Sequence, residues 1–137
     1  MTVRKKESSL YHPVSRYVRR RSFRWQHPEM QFYEYRIDLY GFSRVQNLTI
    51  AVELKLFKWK RAFEQAILYQ LCADLVYIAV PVSTVDRIDA DLLIKHGIGL
   101  LAVSANDRCY EVLQAVRSKV LRQSYRDDFV AFVRKGF

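Results

Sequence analysis

The stretch IAVELKLFKWKRAFEQAILYQ, residues 50–70, decides how the chain is read. Successive side chains of an extended strand alternate between faces. Ile50, Val52, Leu54 and Leu56 therefore point one way, and Ala51, Glu53 and Lys55 the other. Four aliphatics on one face are what a strand gives to a core. A carboxylate and an ammonium on the opposite face, roughly 6–7 Å apart along the strand, need a reason. An unpaired buried ion costs several kcal/mol. From Lys58 the period lengthens. Ala62, Phe63, Ala66, Ile67, Gln70 and Leu71 recur at helical spacing, which predicts a helix over 58–73. On that helix Lys58, Arg61, Gln65 and Tyr69 fall three and four residues apart and form one stripe. Two cations, an amide and a phenol are donors suited to phosphate oxygens.

Upstream lie MQFYEYRIDLYGF (30–42) and LTIAVELKLF (48–57), aromatic and β-branched runs separated by the turn-like SRVQN (43–47). They predict antiparallel strands. Within the first, Arg36, Asp38 and Tyr40 share a face opposite Ile37, Leu39 and Gly41. Pairing across the short turn brings Asp38 toward Glu53. Two carboxylates beside a lysine suit a divalent cation, which neutralises both. The same residues also fit an ion pair of Lys55 with Glu53 or Asp38 on a solvated sheet face.

Residues 7–22 read as a helix, with Leu10, Val14, Tyr17 and Val18 on one side and Arg16, Arg19, Arg20 and Arg21 mainly on the other. Pro13 falls within its first two turns, where a missing N–H matters least. Downstream, DLVYIAVPV (74–82) and IGLLAVSA (98–105) are continuous apolar strands of the kind covered on both faces. STVDRIDADLLIKHG (83–97) reads as a short helix closing at Gly97, and residues 119–134 as a final helix. The order is helix, two or three antiparallel strands, helix, strand, helix, strand, helix. A strand–helix–strand unit implies parallel pairing through a crossover, so the fold class is α/β, a mixed central sheet flanked by helices. No repeat, low-complexity tract or linker divides the chain, and residues 1–137 read as one domain.

Composition narrows the partners. Half of the 137 residues are hydrophobic and only seven are Gly or Pro, as in a globular chain. Lys and Arg number 23 against 14 Asp and Glu, a formal charge of +9. The excess gathers at Arg4, Lys5, Lys6, Arg16, Arg19, Arg20, Arg21 and Arg24, opposed over residues 1–24 by Glu7 alone, and again around Trp59 at Lys55, Lys58, Lys60 and Arg61. Such clusters favour a polyanion; a solvated basic face is the plainer alternative. Cys72 and Cys109 are too few for a zinc or disulfide framework, and Cys72 reads as a core residue. His12, His27 and His96 stand apart from any ligand partner. No apolar run approaches the roughly 18 residues a membrane helix needs, and the N-terminus lacks a signal-like apolar segment. The expectation is a soluble, cytoplasmic protein without a membrane partner.

RIDLYGF, then IAVELKLFKWKRAFEQAILYQ, then ADLVYIAVP and GIGLLAV together resemble the PD-(D/E)XK nuclease superfamily. Asp38 matches its metal-binding Asp, Glu53 and Lys55 its Glu-x-Lys pair, and Gln65 with Tyr69 the Gln-x-x-x-Tyr element of its RecB-type branch. The resemblance spans about residues 7–104. Glu7 stands where many members carry an extra acidic ligand, and Ile37 replaces the Pro of the family's name. The resemblance implies a restriction-endonuclease-like core in the order αβββαβαβ, followed by a C-terminal helix. It implies phosphodiester hydrolysis with Mg²⁺ (Mn²⁺ substituting) held by Asp38, Glu53 and Glu7, and with Lys55 and Gln65 in the chemistry. Lys58, Arg61, Gln65, Tyr69, Arg19 and Arg20 would contact nucleic acid, DNA ahead of RNA. A homodimer is a further implication, since members often pair. Two other readings fit the same residues: a catalytically silent nucleic-acid-binding protein of this fold, and a small module that meets a protein partner.

Overall fold

A computed structural model describes residues 6–135. Arg4 and Lys5 of the N-terminal basic group lie outside the described residues. The first predicted helix starts as a 3-10 turn over Glu7–Leu10 and continues as α1, Tyr11–Arg20. Leu10, Val14 and Val18 are fully buried along one side, while Arg16, Arg19 and Arg20 are exposed. Three strands follow, β1 (Trp25–Phe32), β2 (Tyr35–Ser43) and β3 (Leu48–Leu54). Then come α2 (Trp59–Tyr69), β4 (Leu75–Pro81), a 3-10 segment over Val82–Arg87, and α3 (Ala90–His96). β5 (Gly99–Val103), β6 (Cys109–Leu113) and α4 (Gln123–Arg134) complete the chain.

All six strands form one sheet in sequence order. β1–β2, β2–β3 and β5–β6 are antiparallel, and β3–β4 and β4–β5 are parallel. The α/β class with a mixed sheet between helices is as expected. Sequence pattern missed β6. As an edge strand it buries only Cys109 fully and leaves Tyr110 and Val112 exposed, so CYEVL carries no continuous apolar run. The helix expected over 83–97 is divided. Asp89 accepts the Leu92 amide at 3.2 Å and starts α3 afresh. Gly97, at φ 71°, ends it in the left-handed conformation that glycine adopts without penalty.

The sheet is covered on both faces. α1 packs Leu10, Val14 and Val18 onto Leu39, Ile50, Val52 and Leu54. On the other side α2, α3 and α4 cover Tyr40, Ala51, Ile78 and Leu100. The face that carries Ala51 and Glu53 is therefore roofed by α2, and the solvated-face reading of Glu53 falls. One alternation also breaks: Ile37 packs with Tyr40 rather than with Leu39. Across from this stretch, Glu29 of β1, between the Pro28–Leu39 and Met30–Ile37 pairs, takes φ 54°.

A buried network ties the start of β4 to the rest. Asp74, 1% exposed, accepts the Thr49 amide (2.8 Å), the Thr49 hydroxyl (2.9 Å) and Arg126 Nε of α4 (2.9 Å). Its Oδ1 faces Arg117 Nε at 3.4 Å, an ion pair outside hydrogen-bond geometry. Burial alone would raise its pKa; Arg126 and Thr49 outweigh that and hold the carboxyl below its ordinary range.

Candidate functional site

The β2–β3 register pairs Leu39 with Val52 and Tyr40 with Ala51. One step further along the same ladder, Asp38 stands across from Glu53. The Leu54 amide donates to Asp38 Oδ2 at 2.8 Å, which fixes that carboxylate against the end of β3. Glu53 is 4% exposed, and its Oε1 lies 3.0 Å from the Tyr69 hydroxyl. That hydroxyl also lies 3.2 Å from the Arg36 carbonyl.

β3 ends at Leu54, earlier than the sequence pattern implied, yet the Lys55 amide still bonds the Ala79 carbonyl of β4 at 3.0 Å. Lys55 thus leaves the sheet from a fixed point. Its Nζ lies 3.9 Å from Glu7 Oε2. Glu7 serves Lys55 rather than completing a set of three acids, although its charge still reaches Asp38 and Glu53.

Electrostatics follow from this crowding. Burial, then the neighbouring Asp38 charge, push the Glu53 carboxyl up to about 8, against the lowering effect of Tyr69 and Lys55. Burial likewise raises Asp38, opposed by the Leu54 amide. Two carboxyls this close cannot both ionise without help, so at neutral pH the pair shares a proton held mainly by Glu53. The Tyr69 phenol is raised by burial and by Glu53, and stays a donor.

From α2, Lys58 and Arg61 are exposed and Gln65 is half-buried. With Lys6, Glu7 and Lys55 they line a groove of about 760 Å³. Gln65 Oε1 is buried and accepts no hydrogen bond from any described residue. A second groove of about 550 Å³ is lined by Asp38 and Leu54, and shares Glu7 and Ser8 with the first. Asp38 opens onto this second groove, and Glu53 lines neither.

Not every expected contact residue arrives. Tyr69 continues the stripe but is fully buried. Its hydroxyl is spent on Glu53, so it holds the carboxylate instead of reaching a polyanion. Arg19 and Arg20 lie at the far end of α1, roughly 20 Å from Glu7. There Arg20 acts on Cys109 of β6, and the adjacent Arg21 is 3.9 Å from Glu111. The helix separates them from the acids, and they form a different surface. The Leu54 amide that holds Asp38 was invisible in the sequence, because backbone donors carry no letter.

Among the described residues no group of three or more His, Cys, Asp or Glu is arranged to hold a metal. The acids that converge are two, Asp38 and Glu53. That number fits Mg²⁺, which keeps several waters and is commonly bound through one or two carboxylates together with substrate phosphate. Hard oxygen donors, a shared proton and an unsatisfied Gln65 acceptor at the groove wall make the residues compatible with such an ion.

No family model matches the chain, and no curated protein matches it. Among solved structures it is similar to a protein of unknown function from Silicibacter pomeroyi, with 20% sequence identity and a TM-score of 0.73, over 97% of this chain and 87% of that one. At that identity the likeness shows the fold alone.

Proposed function

We propose that the chain is a metal-dependent nuclease of the PD-(D/E)XK type, with a restriction-endonuclease-like core, that hydrolyses phosphodiester bonds in nucleic acid, DNA ahead of RNA. One observation carries this reading. Asp38 and Glu53 oppose each other across β2–β3, Glu53 buried and Asp38 half-buried, in a pair whose carboxyls are both raised, and Lys55 follows in a groove lined also by Lys6, Lys58 and Arg61. A structural ion pair would not need two acids, and a purely electrostatic surface would not bury Glu53.

A bound Mg²⁺ or Mn²⁺ would neutralise charge at the scissile phosphate and acidify a water. Asp38 and Glu53 would hold it, Asp38 oriented by the Leu54 amide and Glu53 by the Tyr69 hydroxyl. Lys55, kept near the acids by Glu7, would stabilise charge developing on the phosphoryl oxygens and orient the attacking water. Lys58 and Arg61 would take the flanking phosphates. Gln65 Oε1, an acceptor with no described donor, would receive a hydrogen bond from the water or the substrate.

The test is incubation of purified protein with labelled duplex, single-stranded and branched DNA and with RNA, with and without Mg²⁺ or Mn²⁺. Metal-dependent strand cleavage that disappears in Glu53→Ala is expected. Binding with no cleavage of any substrate would leave the silent nucleic-acid-binding protein as the better reading.

A further inference from the structure

The four residues between β3 and α2 are pinned more firmly than a connecting loop requires. Lys55 N–H bonds the Ala79 carbonyl at 3.0 Å. The buried Thr84 hydroxyl donates to the Leu56 carbonyl at 2.6 Å. Trp59 N–H bonds the Phe57 carbonyl at 2.8 Å, and Ala62 N–H bonds the Lys58 carbonyl at 3.3 Å. Leu56 and Trp59, on either side, are 7% and 8% exposed and anchor the segment in the core. Between them Phe57 is turned outward and 58% exposed. A lone exposed apolar side chain is ordinary on a protein surface. The backbone that carries this one is pinned on both sides, and the residue lines the same groove as Lys6, Lys55, Lys58 and Arg61.

An aromatic face held rigidly among cations has a specific chemical complement. Phosphates pair with the cations, and a base laid bare can stack on the ring. A base inside an intact duplex is already stacked on its neighbours and offers no free face. We propose that this groove takes an unpaired nucleic-acid strand, with one base stacked on Phe57 and its flanking phosphates on Lys58 and Arg61. The inference rests on the nuclease reading and names its substrate class: single strands, frayed ends or flaps rather than continuous duplex.

Fluorescence anisotropy with a labelled thymidine oligonucleotide, its RNA counterpart and a blunt duplex of equal length, in EDTA so that no cleavage intervenes, tests the idea. Wild type should bind single strands more tightly than duplex. Phe57→Ala should lose about 10- to 100-fold on single strands, the worth of one base–aromatic stack, and little on duplex. Phe57→Trp should keep the affinity and add an indole signal quenched on binding. The DNA and RNA arms tell which backbone is preferred. Unchanged single-strand affinity in Phe57→Ala, or equal loss on both forms, overturns the inference. In a parallel assay with Mg²⁺, duplex cleavage by wild type that Phe57→Ala leaves intact would overturn it too, while the nuclease reading stood. Binding to none of the three would remove the inference together with the reading under it.

Discussion

Two acids are buried within a few strands of each other and live under opposite rules. Asp74, at the start of β4, meets Thr49 through two hydrogen bonds and Arg126 through a third, and its carboxyl is held below the ordinary range. Glu53, at the end of β3, meets Tyr69 and a second acid, and is pushed up to about 8. Burial opposes ionisation at both. Donors outweigh it at the first and do not at the second. A buried carboxylate that the fold has satisfied is a structural fastener. One that the fold has left short of donors keeps its proton at neutral pH instead, and a shifted carboxyl of that kind is a candidate for function.

The largest effect expected from this contrast is on cleavage. Lys55→Ala should reduce metal-dependent strand scission at least about 1000-fold, roughly 4 kcal/mol of barrier, with gel-shift affinity for the same substrate changed far less. Equal loss of binding and cleavage would reduce Lys55 to one more surface cation. At the fastener, Arg126→Ala strands Asp74 as a buried charge. Breaking a buried pair in this way costs about 3–5 kcal/mol, to be read as a lowered denaturation midpoint, and a smaller loss would mean that Arg117 already satisfies Asp74.

The pH dependence should separate the two acids by sign. Glu53 has a folded value of about 8 against an ordinary 4.5. The folded chain thus keeps a proton that the unfolded chain releases. Its stabilising contribution is full below the ordinary value and fades as pH rises through about 8. Metal-free protein should accordingly lose on the order of a few kcal/mol between those limits, and Glu53→Gln should flatten that limb. Asp74, held low, works the other way: its contribution is present above the ordinary Asp value and is lost as pH falls below it. Melting curves across pH would expose an error in either assignment, since a Glu53→Gln profile parallel to wild type contradicts the first. The smallest effect is that of Tyr69→Phe, which deletes one donor to Glu53. It should cost about 1 kcal/mol of stability and shift the alkaline limb slightly upward in pH, because the Tyr69 hydroxyl favours ionised Glu53 and its loss lets the carboxyl keep its proton to higher pH.

That last substitution also measures how far sequence reading carries. Spacing put Tyr69 on the stripe of Lys58, Arg61 and Gln65, and the stripe exists. Spacing could not say that the last member would be roofed over. The end of α2 that carries Tyr69 packs into the core with Ala51 and Ile78, while the end that carries Lys58 and Arg61 faces solvent. Ile37 gives the same lesson: it packs with Tyr40 although alternation sets it beside Leu39.

Alternation along residues 50–56 and the length of the turn at 43–47 were enough to set Asp38 opposite Glu53, because both follow from the covalent geometry of an extended chain. The order of helices and strands, and so the α/β class, came from apolar periodicity, which is equally local. Everything that made the acids unusual came from elsewhere in the chain: the Leu54 amide on Asp38, the Tyr69 hydroxyl on Glu53, the pairing of Glu7 with Lys55, and the outward hold on Phe57. Burial and donor count depend on which distant elements pack together, and no local pattern encodes the partner that packing brings.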